Sequence, residues 1–311
     1  MARVAFIGLG HMGGGMAPNL AKAGHEVRAF DLSEEALTHA VERGCKRAKS
    51  AADACKNADA VVTMLPAGKH VAEVFRSSVF GAAPKNAILM DCSTIDVATA
   101  RTVEEEAAAQ GYTMVDAPVS GGIAAAEGGT LTFMVGGSQE GFEKAREYLE
   151  KMGKAVIHAG EPGAGQAAKI CNNMLLGASM AATCEAFVLA EKLGLDPKVF
   201  FDISSKASGQ CWSMTSYCPV PGVGPETPAD REYEGGFAAA LMLKDLKLAM
   251  EAAQAAGAYT PMGGEAEELY QRFVDLGGGA KDFSALIKMI DDSWHSPEGE
   301  KHVEPPVTAL D

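Results

Sequence analysis

A parallel α/β sheet domain followed by an all-helical domain is the fold class this sequence predicts, on three observations. Over the first ~160 residues, short β-rich runs alternate with helical stretches, the pattern of βαβ units in a parallel sheet. Beyond Gly163 the strand signals vanish and helical stretches dominate. A glycine turn, Gly8-x-Gly10-x-x-Gly13, follows the first apolar run and opens the first helix. The length of 311 residues fits about two domains.

Taken in order, the predicted strands are Val4–Gly8, Val27–Asp31, Ala60–Leu65, Ala87–Cys92, Thr113–Asp116, Thr132–Val135 and Ala155–His158. Helical runs such as Met12–Ala23, Glu34–Arg43 and Ala98–Gln110 lie between them. The helical part then runs through Gly165–Leu193, Pro197–Ser205, Ala238–Ala256, Glu265–Leu276 and Phe283–Asp291. The boundary falls near residue 162, at "GEPGAG", which divides the chain into 1–162 and 163–292. Residues 293–311 read as a disordered or loosely attached tail. Ser216–Gly236, rich in Pro and Gly, must be a long loop, and such loops are usually functional or disordered.

The glycine turn carries the strongest local signal. Gly8 allows the tight turn, Gly10 lets the backbone approach a pyrophosphate, and Gly13 lets the helix pack closely on the sheet. The helix N-terminus offers N–H groups and a positive dipole end to phosphates. A glycine-rich turn in another α/β fold would share the spacing. Here a strand precedes it, a helix follows it, and Asp31 stands just over ~20 residues on, as a Rossmann-type dinucleotide site requires. Asp31 is placed to accept hydrogen bonds from ribose hydroxyls. It would repel a 2′-phosphate, and Leu32 and Ser33 supply no cation, so NAD is favoured over NADP. Met64–Pro66 and Cys92–Ile95 end later strands, where ligands of such sheets sit, although either fits plain loop chemistry.

Composition excludes several function classes. Lys plus Arg number 27 against 41 Asp plus Glu, a net charge of −14 with no basic cluster, so neither a nucleic-acid partner nor an anionic membrane surface is expected. The seven cysteines form no C-x-x-C pair and read as reduced thiols. No metal site is expected: H-E-x-x-H is absent and the histidines lack suggestive partners. The apolar stretch Ile170–Ala190 contains Glu185 and reads as a buried helix, not a membrane span. The N-terminus runs straight into a strand, without a targeting pattern, so a cytoplasmic location is expected.

"GLGHMGGGMAPNLAKAGH", "DAPVSGGIAAAEGGTLTFMVGG" (Asp116–Gly137), "GAGQAAKICNNMLL" and "GGFAAALMLKDLKLA" (Gly235–Ala249) stand in this order along the chain. With these motifs the chain resembles the β-hydroxyacid dehydrogenase family from Val4 to Ile290. "CWSMTSYCPVPGV" (Cys211–Val223) is similar to a stretch of its 3-hydroxyisobutyrate dehydrogenase branch. The resemblance implies a Rossmann-type domain, a long interdomain helix, an all-helical domain, active sites in the interdomain cleft, and a homodimer or homotetramer. It also implies site roles. Lys169 is the catalytic residue and Asn173, one turn on, contacts substrate. Ser120, Gly121 and Gly122 hold the substrate carboxylate. Gly8, Leu9, Gly10, His11, Met12, Gly13, Asp31, Leu65, Pro66, Thr94 and Lys244 lie on the cofactor side. Relatives often carry asparagine a few residues past the L-P pair, where this chain has His70; the Gly13–Gly15 run is also richer in glycine than usual.

The residues themselves are compatible with those roles. Ser120-Gly121-Gly122 can present successive N–H groups and a hydroxyl to an anion, or can simply turn the chain. A lysine among apolar neighbours near a helix start either snorkels to water or is buried for a purpose. If buried, desolvation, aided by a second cation such as Lys244, would move its pKa towards neutrality and make it a usable acid or base. The expected reaction is NAD-dependent oxidation of a short 3-hydroxy acid, such as 3-hydroxyisobutyrate, to the semialdehyde. Alternatives in the family are a serine-type dehydrogenase and reductases of tartronate or succinic semialdehyde. A non-catalytic NAD-binding sensor or an imine reductase would be expected to lack Lys169.

Overall fold

The computed structural model describes residues 1–295. The chain forms two compact units, Met1–Asn172 and the residues from Asn173 on.

The first unit is built on a nine-stranded sheet. Its strands are β1 (Arg3–Ile7), β2 (Glu26–Phe30), β3 (Lys46–Arg47), β4 (Ala60–Thr63), β5 (Ile88–Asp91), β6 (Thr113–Asp116), β7 (Val119–Ser120), β8 (Leu131–Gly136) and β9 (Gly153–Gly160). The order is β3-β2-β1-β4-β5-β6-β8-β7, with β9 also paired to β8. The ladders from β3 to β6 are parallel, β6 and β7 pair antiparallel with β8, and β9 pairs parallel with it. All seven expected strands are present. The short strands β3 and β7 add to them: β3 is two exposed charged residues, and β7 continues β6 past Pro118, which has no N–H to donate to a ladder.

Strands buried on both faces read as continuous apolar runs because alternate side chains serve opposite layers. In β1, Val4 and Phe6 enter one core and Ala5 and Ile7 the other. The first layer is closed by α1 (Gly13–Lys22), α2 (Glu34–Glu42), α6 (Gly122–Gly128) and α7 (Gln139–Leu149); the second by α3 (Ala51–Cys55), α4 (Gly68–Val74) and α5 (Val97–Ala109). Pro18 inside α1 cannot donate to the Gly14 carbonyl, and Arg43 Nη1 donates to that oxygen instead at 3.0 Å.

Helix α8 (Ala164–Lys192) begins in the first unit and continues into the second. By length and composition it could cross a membrane. Part of its apolar surface is covered by protein: Met180, Cys184 and Phe187 belong to the second unit's core, while Leu175 and Leu189 are exposed. That core also takes residues from α10 (Trp212–Thr215), α11 (Ala239–Ala256), α12 (Pro261–Phe273) and α13 (Leu286–Ile290), while α9 (Pro197–Ser204) flanks it. Helix α12 starts four residues before the expected Glu265. Pro261 suits a first helical position, and Gly263 breaks the periodicity because a Cβ there would run into Met250 and Met174.

Ser216–Gly236 is a loop, as expected, but a built one. Tyr233 donates to the Pro219 carbonyl at 2.8 Å, and Asp230 accepts the Gly222 and Thr227 N–H groups at 2.7 and 2.8 Å. Cys218, Val223, Ala229 and Tyr233 are core residues. Of the expected tail, Trp294 stacks edge-on against Phe273 and donates to the Leu276 carbonyl at 2.9 Å; residues 296–311 lie outside the described residues.

Candidate active site

Contacts that exclude a side chain build the glycine turn. Gly8 has φ of +96°, and a Cβ there would run into the Met64 carbonyl oxygen. A side chain at Gly13 would collide with the Gly8 carbonyl, so α1 starts directly on the turn. Gly10 differs: no protein atom lies within 4 Å of where its Cβ would stand. The protein itself does not demand glycine at Gly10, and the space beside it suits a closely approaching pyrophosphate. Asp31, following β2, accepts the Leu9 N–H at 2.6 Å and the Ser33 N–H at 2.8 Å, and so braces the turn from the next strand. Its oxygens keep lone pairs for ribose hydroxyls.

β1 lies between β2 and β4, so the chain winds outward in both directions from there; ligands of such sheets bind at the carboxyl ends of strands at this switch point. Gly8–Gly13, Asp31, Leu65, Pro66 and Thr94 all follow the carboxyl ends of β1, β2, β4 and β5. The structure therefore gathers these expected cofactor residues on one sheet edge. Lys244, the remaining expected cofactor residue, sits on α11 in the second unit. His70 is half-buried on α4, and its Nδ1 has no hydrogen-bond partner among the described residues.

A buried polar lattice holds this edge. Asp91 Oδ1 accepts from Thr63 Oγ1 at 2.7 Å and Ser93 Oγ at 2.6 Å. Ser93 Oγ in turn accepts the Leu65 N–H at 2.8 Å. Burial pushes the Asp91 carboxyl up to about 6. Its register partner across β5 and β6 is Asp116, whose pKa burial also raises, against the opposing effect of two N–H groups. Those donors are Gly163 N–H at 2.8 Å and Gln166 N–H at 2.7 Å, so Asp116 caps α8 from another strand. Gln166 completes the attachment through its side chain, which bonds the Ser93 carbonyl and the Ile95 N–H.

Lys169 is 7% exposed and lies three residues beyond Gln166; Asn173, 1% exposed, follows one turn later. Of the two fates open to this lysine, burial is the one observed. Asn173 Nδ2 donates to Asp245 Oδ2 at 2.6 Å, which leaves Oδ1 as the acceptor of that amide. Asp245 is itself buried, and its Oδ1 lies 3.5 Å from Lys244 Nζ. Ser120 ends β7 and pairs with Thr132. Gly121 and Gly122 have φ of +135° and +74°, and a Cβ at Gly121 would press on Ala125 at 2.6 Å. The glycines are therefore needed to turn the chain into α6 and place successive N–H groups there.

Gln166 and the capping role of Asp116 were not visible in the sequence; Ser93 was named only within Cys92–Ile95, and Asp245 only within the Gly235–Ala249 motif. Each is a common polar residue whose partner is 47 to 73 residues away, or 72 for Asn173 with Asp245, so no local pattern marks it. The glycine-rich Gly13–Gly15 run does have a structural reason: a side chain at Gly15 would press on Ala126 and Glu127 of α6, and Asn19 Nδ2 bonds the Ala126 carbonyl at 2.8 Å.

This arrangement matches known proteins along nearly the whole chain. Residues 3–160 match the family model of the NAD binding domain of 6-phosphogluconate dehydrogenase, and residues 163–290 match that described as NAD-binding of NADP-dependent 3-hydroxyisobutyrate dehydrogenase. A 3-hydroxyisobutyrate dehydrogenase of Pseudomonas aeruginosa is 49% identical over 93% of this chain and 98% of its own. An NAD-dependent L-serine dehydrogenase of the same organism is 47% identical over 94% of this chain and 98% of its own. The solved structure of the Mycobacterium tuberculosis 3-hydroxyisobutyrate dehydrogenase with L-serine superposes with a TM-score of 0.90, at 46% identity, covering 93% of this chain and 99% of that one. The chain belongs to the β-hydroxyacid dehydrogenase family, a class of Rossmann-type enzymes with a helical second domain. Its activity is that of an NAD-dependent hydroxyacid dehydrogenase.

Proposed function

We propose that this enzyme oxidises 3-hydroxyisobutyrate, or a similarly short 3-hydroxy acid, to the semialdehyde, with Lys169 as general acid/base. The observation that carries the reading is the burial of Lys169 on α8, beside a helix start fastened to the cofactor edge of the sheet. Bound NAD supplies the hydride acceptor. Gly8–Gly13, Asp31, Leu65, Pro66, Thr94 and Lys244 hold it. Ser120 and the N–H groups of Gly121 and Gly122 bind the substrate carboxylate, and Asn173 orients the substrate hydroxyl. As the carbinol C–H bond gives up its hydride, the neutral amine of Lys169 takes the hydroxyl proton, and the C–O bond becomes the aldehyde carbonyl.

A second reading is L-serine as substrate, supported by the L-serine dehydrogenase relative and by the solved relative described with L-serine. Serine and 3-hydroxyisobutyrate share a primary alcohol and a carboxylate and differ only in the ammonium or methyl group between them. An NAD-reduction screen over 3-hydroxyisobutyrate, L-serine, glycerate and 3-hydroxypropionate separates the readings, with NADH-driven reduction of tartronate and succinic semialdehydes as the reverse arm. The reading expects the largest kcat/KM with 3-hydroxyisobutyrate. A larger value for serine, or for either semialdehyde, would replace the proposed substrate. We also infer a cytoplasmic homodimer or homotetramer. All seven cysteines are free, and apolar side chains stand exposed at Leu189 (60%) on α8, at Leu193 (76%) just past its end, and four apart on α9 (Val199 47%, Ile203 55%).

A further inference from the structure

Gln166 is fully buried in the first turn of α8, and its backbone N–H and both side-chain polar atoms are engaged. Nε2 donates to the Ser93 carbonyl at 2.7 Å, and Oε1 accepts the Ile95 N–H at 3.1 Å. These two backbone groups flank Thr94. The amide therefore sits beside the loop after β5 much as a paired strand residue would, joining it to a helix about 70 residues further along the chain. Asp116 adds two hydrogen bonds to the same turn. Gly165 seats the turn tightly, because a Cβ there would run into the Met134 carbonyl and the Asp116 carboxylate. A buried amide is stable only when its donors and acceptor are paired, so this bridge tolerates little displacement of the helix.

We propose that Gln166 is a positioning residue: its side-chain amide sets the rotation and axial position of the first turn of α8 against the Ser93–Ile95 loop, and so fixes where the Lys169 amine stands relative to Thr94. Lys169 lies three residues on, where helix geometry places it on nearly the same face. The inference rests on the proposed role of Lys169. A residue that merely fastens core elements would lower stability when replaced and leave turnover per folded molecule unchanged. A positioning residue would slow the chemical step while binding stays as it was, since displacement of a catalytic group by about 1 Å can cost on the order of 10²-fold.

Two variants test this, assayed beside Lys169→Ala with 3-hydroxyisobutyrate and L-serine as probes. Gln166→Met keeps the length and removes the donor and acceptor. It is expected to lower kcat by roughly 10–100-fold, with KM for the acid and NADH affinity by fluorescence titration changed little. The isotope effect with substrate deuterated at the carbinol carbon should grow as hydride transfer becomes rate-limiting. Gln166→Glu carries its own rescue. When protonated, its O–H can donate to the Ser93 carbonyl while its carbonyl accepts the Ile95 N–H; when ionised, it sets an acceptor against an acceptor. Its activity relative to the unmodified enzyme should therefore be highest at acid pH and fall as pH rises, whereas that of Gln166→Met should not follow this course. Folded Gln166→Met with unchanged kcat, alongside an inactive Lys169→Ala, overturns the positioning role alone. A fully active Lys169→Ala overturns the reading beneath it. If Gln166→Met does not fold, Gln166→Glu decides, and a relative activity independent of pH overturns the proposal. Failure of both variants to fold also overturns it, since the amide would then be a requirement of the fold itself.

Discussion

We propose two tasks for Asp31. It holds the Leu9 N–H in the glycine turn at 2.6 Å, and in the proposed role it also accepts hydrogen bonds from the ribose of a bound dinucleotide. Leu32 beside it is 93% exposed, so a larger residue there disturbs no core. The unmodified enzyme should use NAD far better than NADP. Asp31→Ala with Leu32→Arg should reverse part of that preference by exchanging a repelling carboxylate for a guanidinium. Because the brace on Leu9 goes too, its NAD efficiency should fall by more than loss of a ribose contact alone; a hydrogen bond to a charged group contributes roughly 1.5–3 kcal/mol. Parallel kcat/KM measurements with both cofactors check this. Similar values for the unmodified enzyme would contradict the role given to Asp31.

Among elements, the junction of β5, β6 and α5 is the least ordinary. It buries three carboxyl groups, Asp91, Asp116 and Glu104, and Glu104 Oε2 has no hydrogen-bond partner among the described residues. Burial, with Asp116 and Glu161 nearby, pushes Glu104 up to about 8 from an ordinary 4.5. Between those values the folded chain binds a proton that the unfolded chain has released. The stability contributed by the neutral form is thus complete below about pH 4.5 and is lost as pH rises through about 8. Asp91, raised from 3.8 to about 6, acts in the same direction at lower pH. Glu104→Gln should flatten the decline: urea midpoints of the two proteins should be close at pH 5 and favour the variant at pH 9. An equal decline in both would contradict the assignment. This junction also shows where sequence reading stops. The apolar runs of β1, β4 and β5 were legible because burial on both faces leaves a local signature, and Gly8 and Gly13 because the turn excludes a side chain. Gln166 was not legible. Its bonds reach across about 70 residues, and nothing in "GAGQAAK" distinguishes it from a solvent-facing glutamine. The Pro and Gly content of Ser216–Gly236 marked it as the loop it is, but gave no sign of the burial of Cys218, Val223 and Tyr233.

At the scale of the whole molecule, the glycine turn, the start of α8 and Lys169 belong to the first unit, and Asn173, its partner Asp245 and the Lys244 beside Asp245 belong to the second. The family shows the class of reaction; we propose that Lys169 moves the proton in it. The pH dependence of kcat/KM for 3-hydroxyisobutyrate oxidation, compared among the unmodified enzyme, Lys169→Ala and Lys169→Arg, tests it most directly. Arginine keeps the charge and the donors but does not give up its proton in a protein. If Lys169 moves the proton, kcat/KM of the unmodified enzyme rises with pH, this limb disappears in both variants, and arginine is nearly as poor as alanine, each with kcat reduced by roughly 10²–10⁴-fold and with NADH still bound. A folded, NADH-binding Lys169→Arg enzyme that keeps substantial turnover and the same rising limb would contradict it.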